Sequence, residues 1–133
     1  MNSLDTNIFV YSIDSSHGEK HLAARALIER AAMGKWPVAA QVYGEFFSVA
    51  TRKGMATRAG AREMVNTWSA MMPPLPSTLM AHNAALQLAT EKRMQYWDAL
   101  IIATCAERGV KRLYTEDIPG LAKPLGVRCT APW

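Results

Sequence analysis

The stretch YWDALIIATCAERGVKRLYTED, residues 96–117, decides the architecture. From Ala99 to Ala106 every residue is apolar except Thr104. A helix that is apolar nearly all round is buried on most sides. The segment therefore predicts an interior helix over 98–108, opened by Asp98 and stopped by Gly109. Val110 to Tyr114 then reads as a strand, with Thr115, Glu116 and Asp117 following its C-terminal end. A buried helix leading into a strand, with carboxylates at the joins, argues for α/β layers around a mostly parallel sheet.

Working outward, the N-terminus has the same design. Residues 1–4 predict a short strand that leads into Asp5, and an apolar run, Ile8 to Tyr11, follows closely. Ser16 and Glu19 have capping-box spacing. They predict a helix with Leu22, Ala23, Ala26 and Leu27 on its apolar face, ending near Gly34. Trp36 to Ala40 reads as a strand. Residues 42–53 read as a helix whose apolar side is Val42, Phe46, Val49 and Ala50, with Gly54 as its stop. Thr57 to Met72 is amphipathic, with Ala61, Met64, Val65, Trp68 and Met72 in phase, and Pro73 and Pro74 end it. Leu75 begins a short extended piece. Ser77 or Thr78 caps a helix running to about Arg93, and residues 126–130 predict a last strand.

Bulk properties narrow the function. The 133 residues fit one domain, 1–133, able to bury its own core. Half of them are hydrophobic, which excludes a disordered chain. The two cysteines, Cys105 and Cys129, form no CxxC pair, and His17, His21 and His82 lack zinc spacing. A reduced, cytoplasmic setting is expected. No basic stretch with an apolar run marks a signal peptide, and no apolar stretch approaches the roughly 18 residues of a membrane span. Lys plus Arg exceeds Asp plus Glu by 15 to 11, which favours a polyanionic partner.

Of eleven acidic residues, six lie in polar surroundings and five do not. Glu45 edges the apolar face of its helix. Asp98 opens the interior helix, and Asp5, Glu116 and Asp117 follow strands. In an open parallel sheet such positions converge on the carboxyl edge, where ligands bind. Carboxylates gathered there repel one another, and a divalent cation compensates them. Mg²⁺ suits oxygen ligands and keeps several waters. Each acid taken singly also has a structural reading. Asp98 caps a helix, Asp117 serves a turn or cap before Pro119, Asp5 makes an Asx turn, and Glu45 pairs with Arg52 or with a neighbouring helix.

LDTNIFVY near the start, VYGEFFSVATRKG in the middle and YWDALIIATCAERGVKRLYTEDI near the end, in that order, resemble the PIN domain. The resemblance is specifically to VapC-type toxins of type II toxin–antitoxin systems and spans essentially the whole chain. It implies a PIN-like α/β/α sandwich around a short, mostly parallel sheet. It also implies a Mg²⁺- or Mn²⁺-dependent endoribonuclease. Asp5, Glu45, Asp98 and Asp117 match the family's acids, and Glu116 is an alternative for the fourth. Asp5, Asp98 and Asp117 would be the metal ligands, with Glu45 or Asp117 orienting the attacking water. Thr6, Asn7 and Thr115 match pocket-lining polar residues. The family further implies a homodimer and a cognate antitoxin, with no membrane.

Several readings sit beside the resemblance. Arg52, Lys53, Arg58 and Arg62 form the densest basic region, a rim for RNA phosphates or a solubilising surface, and Lys92 and Arg93 form another. Tyr11, Tyr96 and Trp97 offer stacking faces, and Trp97, beside an apolar run, is expected in the core. The Met64, Trp68, Met71 and Met72 stripe reads as core or as a partner surface. A non-toxin RNA-processing nuclease and a non-catalytic binding module whose acids only cap helices are the competing functions. An Asp-nucleophile phosphatase is disfavoured, because Asn7 stands where its second Asp would be.

Overall fold

The computed structural model describes residues 1–117 and 123–133. Three short strands, β1 (Asn2–Leu4), β4 (Arg112–Tyr114) and β5 (Arg128–Thr130), pair in parallel in the order β1-β4-β5. Leu4 stands beside Tyr114, and Tyr114 beside Thr130. A second parallel pair joins β2 (Val38–Ala39) to β3 (Pro74–Leu75). The Ser3 hydroxyl links the two sets by donating to the Pro37 carbonyl at 2.6 Å. Every pairing among the described residues is parallel, as the sequence predicts. The strands are shorter than expected at 36–40, 110–114 and 126–130, where a 3₁₀ turn, Pro124–Gly126, takes up the start of the last one.

Six helices among the described residues flank the strands: α1 (Thr6–Ser12), α2 (Glu19–Met33), α3 (Ala40–Arg52), α4 (Arg58–Met71), α5 (Leu79–Lys92) and α6 (Tyr96–Glu107). They fall into two packed groups, α1 to α4 and α5 with α6. In α6 every residue from Ala99 to Cys105 is buried, which is what its sequence, apolar but for Thr104, requires. Phe9 lies against Tyr43 and Trp68, with ring centroids 5.5 and 4.8 Å apart, and locks α1 onto α3 and α4.

The sequence reading is corrected at three places. Residues 6–12 form a helix that the pattern did not predict; its run of β-branched and aromatic residues has strand-like composition, and seven residues are too few to show a helical period. The Ser16–Glu19 capping box does not form. Ser16 sits in a 3₁₀ turn and donates to Asp14 at 2.6 Å, and Gly18 precedes α2 without a side-chain cap. The buried face of α2 is Ala24, Leu27, Ile28 and Ala31, while Leu22 and Ala26 are exposed.

Candidate active site

The register of β1 and β4 builds the site. The Asp5 N–H donates to the Tyr114 carbonyl at 3.0 Å, extending the ladder by one residue, after which both chains leave the sheet. Asp5 therefore lies beside the Thr115–Asp117 turn at the carboxyl edge. The same residue starts α1, accepting from the Thr6 N–H at 2.7 Å. The Asx turn expected of Asp5 is replaced by this N-cap contact to the next residue, which leaves the second carboxylate oxygen for other work.

Each polar residue singled out in the sequence holds one acid. Thr115 donates to Asp5 Oδ2 at 2.6 Å, Thr6 Oγ1 to Glu45 Oε1 at 2.9 Å, and Asn7 Nδ2 to Asp117 Oδ2 at 3.1 Å. Thr115 is buried beneath Asp5 and does not line the cleft, in contrast with its match to a pocket-lining residue. Asp98 stands inside the first turn of α6, whose N-cap is Gln95, so the reading of Asp98 as a cap is wrong.

Asp5, Glu45, Asp98 and Asp117 open onto one cleft of about 970 Å³. Arg52 and Lys53, at the end of α3, line it too. Among the described residues no Lys, Arg or His lies within ion-pairing distance of these four acids. The pairing of Glu45 with Arg52 is therefore not made. Burial raises the Asp5 carboxyl above its ordinary range; the hydrogen bonds from Thr115 and Thr6 oppose this, and the Asp117 charge adds to it. Burial and the Asp5 charge likewise raise Glu45. Asp98 is pushed up to about 6, first by burial and then by Asp5, Asp117 and Glu45.

Such a cluster calls for a counter-charge. Asn7 Oδ1 and Gln41 Oε1 are buried without a hydrogen-bond partner, so the spare donor set is entirely oxygen. That chemistry fits a hard cation such as Mg²⁺ or Mn²⁺. Among the described residues no three ligating side chains are closed around one ion-sized point.

Two cleft residues depart from the sequence reading. Trp97, expected in the core, is 54% exposed and lines the cleft. It lies in the first turn of α6, ahead of the buried run Ala99–Cys105 and at the end of the helix that meets the cleft. Gln41 was missed; it donates to the Trp97 carbonyl at 2.9 Å and fastens α3 to the start of α6. Its place four residues before Glu45, on the same helical face, was the available signal. Tyr11 lines the cleft, whereas Tyr96 turns away and hydrogen-bonds to His82. Arg58 and Arg62 are exposed on α4, outside the cleft wall.

The sequence matches the PIN domain over residues 3–118. The chain belongs to the PIN-domain family. Its fold is similar to that of VapC20 from Mycobacterium tuberculosis, described as a sarcin–ricin loop cleaving toxin. That likeness has a TM-score of 0.68 and 18% identity, covering 90% of this chain and 92% of the other. It is also similar to VapBC2 from Rickettsia felis, solved bound to a DNA fragment from its promoter. There the TM-score is 0.66 and the identity 17%, over 89% of this chain and 88% of the other. At such identities the likeness is one of fold. Comparison with curated proteins gives no match. In this PIN domain Asp5 and Asp117 follow the paired strands β1 and β4, and Glu45 of α3 and Asp98 of α6 line the same cleft. No helix among the described residues is long and apolar enough to cross a membrane.

Proposed function

We propose that this PIN domain is a divalent-metal-dependent endoribonuclease that acts as the toxin of a toxin–antitoxin pair in the cytoplasm. One observation carries the reading: four carboxylates face a single open cleft with no basic side chain among the described residues paired to any of them. Family membership supports nuclease chemistry, and the fold likeness to VapC20 and VapBC2 supports the toxin role and an antitoxin partner. A homodimer is part of the same reading.

Asp5, Asp98 and Asp117 would hold Mg²⁺ or Mn²⁺. When bound, the ion neutralises phosphate charge and lowers the pKa of a water near it. The chain's own residues do the rest. Thr115 and the Thr6 N–H keep Asp5 in one rotamer. Thr6 aims Glu45, whose raised carboxyl is suited to taking the proton of the attacking water. Asn7 fixes Asp117. Thr6, Asn7 and Thr115 thus act through the acids, and Arg52 and Lys53 draw the phosphodiester into the cleft. Trp97 and Tyr11 offer flat faces to bases.

The test is incubation of antitoxin-free protein with total bacterial RNA in Mg²⁺, in Mn²⁺ and in EDTA, beside Asp5→Asn and Asp98→Asn. Discrete cuts that need metal and vanish in both variants are expected. No cleavage, together with no heat of metal binding by the folded wild type, would end the nuclease reading.

A further inference from the structure

Glu116 stands beside Asp117, and the sequence left the two as alternatives for the fourth acid. Their surroundings separate them. Glu116 Oε1 accepts from the Tyr11 hydroxyl at 2.9 Å. Its Oε2 accepts from the Trp133 indole N–H at 2.8 Å and faces the Lys20 ammonium at 3.1 Å. Lys20 in turn lies 5.3 Å from the centre of the Tyr11 ring and 5.7 Å from that of Trp133. The two rings meet edge to face at 5.1 Å. One carboxylate thus joins α1, α2, the exit of β4 and the residues after β5.

Both Glu116 oxygens are engaged outside the cleft, which Asp117 and Tyr11 line and Glu116 does not. On the inner side, the Asp117 N–H donates to Thr115 Oγ1 at 3.2 Å and Asn7 holds the Asp117 carboxylate. The turn 115–117 is gripped from both faces, and Glu116 is the outer grip. We propose that Glu116 is a positioning residue: with Lys20, Tyr11 and Trp133 it sets the placement of Asp117 and supplies no ligand itself. The proposal rests on the nuclease reading only for what Asp117 then does.

The Asn7 side-chain amide reports on this placement without metal or substrate. Its ¹⁵N-edited NMR signals are identified by their loss in Asn7→Asp. In metal-free protein, Glu116→Ala, Lys20→Met and Trp133→Phe should each move them toward their position in Asp117→Ala. Lys20→Arg should restore the wild-type position. Glu116→Ala combined with Lys20→Met should move them no further than Glu116→Ala alone, since both remove one interaction. Calorimetry with Mn²⁺ should show about tenfold weaker binding in Glu116→Ala, the usual scale for a residue that orients a ligand. On RNA, kcat should fall with KM little changed.

Unmoved Asn7 signals in Glu116→Ala with a wild-type far-UV spectrum overturn the proposal, whether or not the chain binds metal. If Glu116→Ala does not fold, unmoved signals in Lys20→Met and Trp133→Phe overturn it equally. Mn²⁺ binding abolished in Glu116→Ala but untouched in Lys20→Met and Trp133→Phe also overturns it, because Glu116 would then be a ligand. Signals that move in a protein that neither binds Mn²⁺ nor cuts RNA uphold the positioning role and end the nuclease reading.

Discussion

Asp98 is the acid with least support. Asp5, Glu45 and Asp117 each receive a side-chain hydrogen bond from Thr115, Thr6 or Asn7, whereas Asp98 is pushed up to about 6 by burial and three neighbouring carboxylates. Its folded value lies above the ordinary 3.8, so protonation favours the folded form. The stabilising contribution is complete below the ordinary value and is lost as pH rises through about 6. Metal-free protein should therefore lose stability in urea as pH goes from about 4 to about 7. The share due to Asp98 is about 1 kcal/mol once solvent screening of this half-buried group is allowed for. Asp98→Asn should flatten, not abolish, that slope, because Asp5 and Glu45 are raised as well. Bound metal competes with the same protons, so Mn²⁺ affinity should be flat near neutrality and weaken below about pH 6. Thr115→Val is the complementary change. It strips the buried Asp5 of a hydrogen bond, and it should cost about 1–3 kcal/mol in urea unfolding and reduce kcat. The acids were legible because each stands against an apolar run. Their tethers were not, because Thr6 reaches Glu45 across 39 positions and Thr115 and Asn7 reach their acids across 110, and no local pattern records such pairings.

Helices show which local signals decide structure. Thr57 and Thr78 each accept the N–H three residues on, at 3.0 and 3.1 Å; the sequence offered Thr78, beside Ser77, as the cap of α5 and read Thr57 as the first residue of α4. Ser16 has the same chemistry and a Glu three residues later, yet Asp14 takes its N–H and its hydroxyl, and the chain turns before α2 starts. A competing Asx turn two residues upstream outweighs the capping box. Stability measurements separate the two outcomes. Thr57→Ala and Thr78→Ala should each cost about 1 kcal/mol, whereas Ser16→Ala should cost less than about 0.5 kcal/mol. Helix α6 was legible because burial on all sides leaves a sequence that is apolar but for Thr104. Helix α1 was not, because its seven residues are held by Asp5 at one end and by Phe9 against Tyr43 and Trp68. Only tertiary packing stabilises so short a helix. Trp97 is exposed because it precedes the enclosed run Ala99–Cys105, at the end of α6 that opens onto the cleft.

For the whole molecule, charge and topology work in opposite directions. The chain carries a formal net charge of +4, yet its parallel pairings gather four carboxylates in the one cleft that an RNA strand would enter. A polyanion is attracted by the surface and repelled by the site. Arg52 and Lys53 sit where the two meet, lining the cleft at the C-terminal end of the helix that carries Glu45. If they contact phosphates, each releases a counterion, and the logarithm of affinity falls with the logarithm of salt by about 0.7 per contact on a single strand. Arg52→Gln combined with Lys53→Gln should therefore make the slope shallower by about 1.4. It should raise KM and leave kcat close to wild type, because neither side chain pairs with an acid among the described residues. Arg58→Gln combined with Arg62→Gln, which removes the same charge from outside the cleft wall, separates a local contact from net charge. The control should change the slope by much less. Equal changes in the two double variants would assign the salt dependence to the overall field of the protein, and would leave Arg52 and Lys53 as part of a solubilising surface.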